Sequence, residues 1–348
     1  MTERGPLPFT VMPHRSEALH SWLGRLSVPY RLKPWQLLQE FGFDPFAEKN
    51  AQRQQPIQAF FNVEDLRRLA QLTRVDPSRF GLDRLCPPDW ALASDDWVIR
   101  CRNCEHDDRR DNMAIYERSA WRNAARTFCP HHRTPLILKQ HGWREEELNE
   151  DAEDTSSPLT ALESAIATQI RGFEDDIAGA LRGRVPVGAA GTLTANAFLI
   201  VVQDLLSFAV ETWEIKGPRS ARTIDQQADQ MNRHAATLFL HEPARGRRVR
   251  CEGIPPIQLR HLADPAARRA ALWLVLQVIW YIPSGVGRLA LRLGDTPQDS
   301  FFGSQCHAGW AWLMERASAW PIRYRRRHWH GFVEDADNLK VQVTPLKG

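Results

Sequence analysis

Apolar residues recur at helical spacing along the N-terminal part of the chain. Within residues 16–26, four of them follow the i, i+3, i+4, i+7 pattern of one buried helix face: Leu19, Trp22, Leu23 and Leu26. Ser16 stands before this pattern, and because serine is common at helix N-termini, the sequence predicts it as the cap. A second helix is predicted over residues 33–41, ended by Gly42.

A third helix is predicted to begin after Asn62, a residue suited to the N-cap, with Asp65 in the first turn where its charge complements the helix dipole. This pattern breaks at Asp76-Pro77. Short helices joined by tight turns are compatible with a DNA-binding helix-turn-helix, and equally with any small helical bundle.

The C-terminal half predicts further helices over residues 159–181, 194–213, 223–240 and 265–281. Residues 272–282 are apolar nearly all round but fall short of the roughly 20 residues that a membrane span needs, which indicates the central helix of a C-terminal bundle. With no apolar stretch of membrane-spanning length and no apolar core of a secretory signal at the start, the protein is expected in the bacterial cytoplasm.

These patterns predict a mainly α protein with four parts. They are an N-terminal helical, helix-turn-helix-like domain (1–89), a small zinc-ribbon module (90–144), an acidic linker (145–158) and a C-terminal helical domain with a basic tail (159–348). The linker is set apart by a run of glutamate and aspartate that is typical of a solvated hinge.

Cysteine and histidine cluster in the second of these parts at metal-ligand spacing. Two residues separate Cys101 from Cys104, and two separate Cys129 from His132, so each pair can present two ligands from one turn. Such a Cys₃His set is typical of a closed tetrahedral Zn²⁺ site. The 24 residues between the pairs leave room for a hairpin or short helix, with Tyr116 and Trp121 as a miniature core.

The identity of the fourth ligand is open at this stage. His131 and His106 lie near enough in sequence to replace His132, although the two-residue spacing favours His132 because it mirrors the first pair. Three other cysteines, Cys86, Cys251 and Cys306, are isolated from the cluster and are interpreted as buried small apolar residues.

The cluster favours a structural metal over a catalytic one. A catalytic Zn²⁺ keeps a coordination position open, whereas four protein ligands are available here. The deaminase pattern His-x-Glu with Pro-Cys-x-x-Cys is absent, and so are His-Glu-x-x-His and the Walker loop. A zinc-dependent nuclease or hydrolase is therefore the weakest hypothesis, and no catalytic residue is predicted.

Arginine dominates the positive charge, since 39 of the 45 basic residues are arginine in a chain of net charge +3. Arginine suits planar contacts to phosphate, although a GC-rich genome would enrich it as well. Two dense segments are candidate contacts to nucleic acid or to an acidic partner. Their residues are Arg245, Arg247, Arg248 and Arg250 in the first, and Arg323, Arg325, Arg326, Arg327 and Trp329 in the second.

Several phrases together resemble one protein family. They are Leu7-Pro-Phe, the stretch Pro13-His-Arg-Ser-Glu-Ala-Leu-His-Ser-Trp-Leu-Gly-Arg-Leu26, the Cys-x-x-Cys pair, the internal Trp121, and Cys-x-x-His followed by Pro135-Leu136. Over residues 7 to about 140 the chain resembles the TniQ family of transposition proteins. Ser21, Trp22 and Arg25 would belong to the N-terminal signature of that family.

The resemblance implies a non-enzymatic targeting adaptor built from helix-turn-helix and zinc-ribbon modules. Such an adaptor links a target-site recogniser to an AAA+ ATPase, which brings the transposase; in CRISPR-associated transposons the recogniser is an RNA-guided complex of the Cascade type. In some systems the adaptor is a homodimer. The structural zinc role would fall on Cys101, Cys104, Cys129 and His132.

The chain departs from this pattern in two respects. No second zinc set can be assembled from the remaining cysteines, and the C-terminal half carries no matching motif, which leaves the target recogniser undecided. The alternative hypothesis is an autonomous zinc-containing transcriptional regulator that reads a DNA site through its N-terminal helices.

Overall fold

The protein is described by a computed structural model over residues 7–43, 61–80, 87–94, 97–139, 161–186, 193–210, 258–279, 313 and 315–324. Its helices are α1 (Leu19–Ser27), α2 (Pro34–Glu40), α3 (Val63–Thr73), α4 (Arg102–Arg110), α5 (Ala161–Ala180), α6 (Ala195–Val210) and α7 (Pro265–Ile279). Two strands, β1 (Val98–Arg100) and β2 (Ile137–Lys139), form an antiparallel pair. The prediction of a mainly helical protein is confirmed.

The chain divides into two compact units. The first comprises Met1–Ser157, His241–Glu252 and Leu259–Arg268, and the second comprises Pro158–Leu240, Gly253–Gln258 and Arg269–Gly348. The predicted acidic linker and the helix predicted over 223–240 lie outside the described residues. Within the described part of the chain, no helix combines the length and apolar character needed to cross a membrane.

The N-terminal helices enclose one apolar core. Its buried members are Leu19, Trp22, Leu23, Leu26, Leu37, Leu38, Phe41, Phe61, Leu66, Leu69 and Val75. The four residues that predicted the first helix face all belong to this core, which confirms the helical periodicity. Trp22 is almost fully buried, and its indole N–H donates to the carbonyl of Val11 at 2.6 Å, so the polar end of the ring is paired inside the core.

The start of α1 differs from the prediction. Ser16 does not cap the helix: it has a left-handed backbone conformation (φ 63°), and its hydroxyl donates to the carbonyl of Arg15. The helix begins three residues later, at Leu19, with no side-chain cap. The reason is a long-range backbone pairing. Glu17 forms an isolated antiparallel β-bridge with Arg118, and this pairing holds residues 16–18 in a non-helical conformation.

The ends of α2 and α3 follow local sequence signals. Gly42, after α2, takes φ 74°, a conformation that glycine adopts without strain. Asn62 accepts hydrogen bonds from the backbone N–H groups of Glu64 and Asp65, and Asp65 accepts from the N–H of Asn62, which completes a capping box. The predicted Asn62 cap is confirmed.

Residues 97–139 form a small module around the strand pair and α4. In the ladder, Ile99 faces Leu138, and Ile99 is fully buried. At its C-terminus α4 closes with a Schellman motif, in which the N–H of Met113 bonds to the carbonyl of Asp108 and Asn112 has φ 52°. Tyr116 and Trp121, predicted as a miniature core, are both buried.

The second unit contains α5 and α6, whose positions confirm the helices predicted over 159–181 and 194–213. Phe173 and Phe198 meet edge to face, with ring centroids 6.2 Å apart. On α6 the buried Asp204 accepts from Arg316 at 2.9 Å and from the indole N–H of Trp320 at 2.8 Å. A carboxylate inside this unit is therefore satisfied by one charged and one neutral donor.

Candidate metal centre

Four side chains converge at one point in the small module. The imidazole Nδ1 of His132 lies 3.6 Å from the sulfur of Cys101, 3.2 Å from that of Cys104 and 3.9 Å from that of Cys129. The sulfurs of Cys104 and Cys129 are 3.6 Å apart. The three cysteines are buried and form no disulfide, and the set lies close enough together to hold one metal ion.

The first ligand pair is presented by a strand-to-helix junction. Cys101 follows β1 directly, has extended backbone and occupies the N-cap position of α4. Cys104 lies in the first turn of α4, and the carbonyl of Cys101 already accepts from the N–H of Glu105. The first helical turn therefore brings the two sulfurs together, in place of the isolated tight turn that the spacing suggested.

The second pair is presented by a compact loop. The N–H of Cys129 bonds to the carbonyl of Thr134 at 2.8 Å, and the N–H of Arg133 bonds to the carbonyl of Cys129 at 2.8 Å. Arg133 has φ 59°, which turns the chain sharply enough to close the loop. The backbone N–H of His132 points at the sulfur of Cys129 at 3.5 Å, and the hydroxyl of Thr134 lies 3.3 Å from the sulfur of Cys101.

The geometry distinguishes His132 from the two alternatives left open by the sequence. His131 and His106 are exposed, and neither belongs to the group formed with the three cysteines. The outer nitrogen of His132, Nε2, lies 2.9 Å from the carboxylate of Asp107. A metal-ligating histidine usually donates its second N–H to a carboxylate, so Asp107 holds the ring with Nδ1 facing the sulfurs.

The thiols influence one another's protonation. Hydrogen bonds from Cys104 and Cys129 lower the pKa of the Cys101 thiol, while the hydrogen bond with Cys101, together with burial, raises the pKa of Cys104. The contact with Cys101 also raises the pKa of Cys129. A bound cation would replace the thiol protons, because cysteine binds a metal as the thiolate.

Helix α4 carries three carboxylates that each bind a different segment. Glu105 contacts Arg100 on β1 at 3.4 Å, and Asp107 contacts His132 as described above. The third carboxylate, Asp108, receives two hydrogen bonds from Arg118, at 2.7 and 2.9 Å. None of these acids carries a sequence signal that predicts its pairing.

Buried polar contacts also connect this module to the N-terminal helices. The N–H of Ala18, just before α1, bonds to the carbonyl of Glu117, and the carboxylate of Glu117 lies 2.9 Å from the ring of His20. Burial alone would raise the pKa of Glu117, but the nearby charges of His20, Arg122 and Arg100 outweigh it and lower the pKa. Glu117 is therefore a charged group that holds two parts of one unit together.

The N-terminal signature lies on this same junction. Arg25 donates to both carboxylate oxygens of the buried Glu17, at 2.9 and 2.6 Å. The hydroxyl of Ser21 donates to Glu17 at 3.1 Å and accepts from the N–H of Glu117 at 3.2 Å. Glu17 and Glu117 were missed by the sequence analysis, because a carboxylate in sequence carries no sign that it is buried.

Most of the predicted basic contact residues cannot be placed. Arg323 is exposed. The others lie outside the described residues, as do the isolated cysteines: Arg245, Arg247, Arg248, Arg250, Arg325, Arg326, Arg327, Trp329, Cys86, Cys251 and Cys306. Their predicted roles stay predictions.

The first unit thus joins a helical domain, through buried polar contacts, to a small module in which Cys101, Cys104, Cys129 and His132 could hold one metal ion. Residues 8–136 match the model of the TniQ family, and the chain carries a TniQ domain over those residues. The resemblance inferred from the sequence is confirmed there. No curated protein and no solved structure matches the chain.

Proposed function

We propose that this protein is a non-enzymatic adaptor in DNA transposition that links a target-site recognition complex to an AAA+ ATPase and, through it, to the transposase. The observation that carries this proposal is the TniQ domain over residues 8–136, which supports a transposition-associated adaptor role in general. A recognition complex of the RNA-guided CRISPR type is one partner of this kind.

The proposed cofactor is one structural Zn²⁺ on Cys101, Cys104, Cys129 and His132. In a tetrahedral site with Zn–S near 2.3 Å and Zn–N near 2.0–2.1 Å, the ligand atoms stand about 3.8 Å (S to S) and about 3.6 Å (S to N) apart. The separations of 3.6 Å between sulfurs and 3.2–3.9 Å between sulfur and nitrogen fit that set. Three thiolates with one imidazole also favour Zn²⁺ over harder cations.

The chemistry of a closed centre supports a scaffold role. Four protein ligands leave no position for a water or substrate, so the metal would supply folding free energy to a module with a two-stranded sheet of three-residue strands. Through α4 and Arg118, that free energy would also fix the segment that binds the N-terminal helices. We assign no catalytic residue.

We also propose a three-part architecture for the chain. The N-terminal helices would form a helix-turn-helix-like domain, the module around α4 would form a zinc ribbon, and helices α5 to α7 would form a C-terminal bundle. Target recogniser and ATPase would bind on these surfaces, and the two arginine-rich segments would contact nucleic acid or an acidic partner.

The experiment is a transposition assay in the host, combined with capture of partners by the purified protein. Deletion of the gene is expected to abolish targeted insertion, and the tagged wild-type protein is expected to restore it and to capture the ATPase. A Cys104→Ser/Cys129→Ser variant should lose its zinc and should neither restore insertion nor capture the ATPase, whereas Arg67→Gln, an exposed substitution on α3, should do both.

Unchanged insertion frequency and site choice after deletion would contradict the proposal. Tight binding of a discrete DNA site by the protein alone would favour the transcriptional regulator instead.

A further inference from the structure

Helix α4 separates its charges between two faces. Its three acids each pair with a residue of another segment: Glu105 with Arg100, Asp107 with His132 and Asp108 with Arg118. Glu105 and Asp108 are buried, as is the ligand Cys104. The inner face of α4 therefore consists of one metal ligand and paired carboxylates, and it contributes little negative potential to solvent.

The outer face of α4 carries the basic residues. Arg102, Asn103, His106, Arg109 and Arg110 are exposed. At about 100° per residue, Arg109, Arg102, His106 and Arg110 fall within roughly a third of the helix circumference. Arg110 contacts Asp107 and Asp111 at 3.3 and 3.4 Å, but these pairs are largely solvent-exposed and weak.

Arg102 and Arg109 have no such partner. Among the residues that the structure describes, neither has a carboxylate within 4.0 Å, although α4 itself contains three acids. Seven residues apart, they are separated by about 10 Å along the helix axis. Among the described residues, two guanidinium groups without an acidic partner thus lie in line on one helix, and the three acids of that helix each pair with another side chain.

We infer that this outer face of α4 binds the phosphate backbone of a nucleic acid, with Arg102 and Arg109 as the two principal contacts. Because they lie about 10 Å apart along the helix, the two guanidinium groups can contact two different phosphate groups of one nucleic acid at the same time. Guanidinium groups bind phosphate in a bidentate way, and the exposed Asn103 and His106 add further hydrogen-bonding groups on α4.

Phosphate contacts position a protein without reading sequence, so the expected binding is insensitive to base sequence and strongly sensitive to salt. The inference does not depend on the proposed adaptor role, because it rests on the charges of α4 alone. It requires only that the module is folded, which zinc content and the thermal unfolding midpoint report separately.

The test is a fluorescence-anisotropy titration of the full chain against short labelled DNA duplexes of two unrelated sequences, over a series of salt concentrations. The wild-type protein should bind both duplexes with similar affinity. In Arg102→Gln/Arg109→Gln the slope of log K against log salt should fall in magnitude by about 2, because each lost phosphate contact to duplex DNA accounts for about 0.9 of the slope.

A matched control removes the same charge elsewhere. Arg31→Gln/Arg67→Gln also lowers the net charge by two at exposed positions of the same unit and should leave the slope within about 0.5 of wild type. An unchanged slope in the α4 variant, an equal fall in both variants, or no measurable binding at low salt would each overturn the inference. Binding of polyglutamate that depends equally on Arg102 and Arg109 would assign the face to an acidic protein and would overturn it as well.

Discussion

Replacing Asp107 by alanine should weaken metal binding although Asp107 is not itself a ligand. Its carboxylate lies 2.9 Å from Nε2 of His132, whose Nδ1 faces the three sulfurs. Loss of such an orienting partner typically lowers metal affinity by about 10- to 100-fold. Because the Asp107 side chain is 30% exposed, water can take over part of the hydrogen bond, and the loss should be near tenfold, or about 1.4 kcal/mol.

The assay is a competition titration of Zn²⁺ against a chromophoric chelator at neutral pH. Co²⁺ loading provides a second measurement, since the absorption of a tetrahedral Co²⁺ site should keep its thiolate bands in the variant while the apparent dissociation constant rises. Asp107→Asn, which keeps one acceptor oxygen, should give an intermediate loss.

Arg110→Gln is the matched control, because Arg110 contacts Asp107 at 3.3 Å without contacting His132. If the affinity falls because of the Asp107–His132 bond, Arg110→Gln should bind Zn²⁺ like the wild type. Equal affinities of Asp107→Ala and wild type would refute the orienting role, and failure of the wild type itself to bind Zn²⁺ would refute the metal centre.

Three further outcomes are expected. A strong chelator should unfold residues 97–139 and expose the buried Trp121, which its fluorescence reports, and added Zn²⁺ should reverse the change. Arg118→Met should lower the free energy of unfolding, measured by urea denaturation, by about 3–5 kcal/mol, because it leaves the buried carboxylate of Asp108 without its charged partner. A loss below about 1 kcal/mol would contradict this expectation. Burial lowers the pKa of His261 to about 4 from 6.5, so the unfolded chain binds more protons between these values and stability falls as the pH drops through that window. From pH 7 to pH 5 the wild type should lose about 2 kcal/mol more than His261→Gln, and identical pH profiles would contradict the assignment.

The sequence predicted the candidate ligand set and the capping of α3 because both depend on local signals. One Cys–Cys pair and one Cys–His pair, each at two-residue spacing, indicate a turn and a candidate ligand set at once, and Asn62 meets its partners within three residues. The start of α1 was predicted wrongly because it depends on Arg118, a residue far along the chain that pairs with Glu17. No local pattern reports such a contact.

The conformation of α4 illustrates another limit of sequence patterns. A helix is normally recognised from an apolar stripe, but the buried side of α4 presents Cys104, Glu105 and Asp108. Its polar residues are buried because ion pairs and thiol contacts satisfy them, and this cannot be inferred from residue type. The strand pair was equally hidden, since two three-residue strands show no measurable alternation.

The Schellman turn after α4 offers a practical site for labelling. Residues 111–114 are all exposed. They lie between two segments in which an insertion would disturb the structure: α4, which bears the candidate ligand Cys104, and residues 116–122, which contact the N-terminal segment. A short epitope or a single labelled cysteine after Met113 would extend a loop already directed to solvent, and longer loops cost little. A reporter placed there would lie close to the candidate metal centre, would leave its four candidate ligands unchanged, and would follow assembly with the partners proposed above.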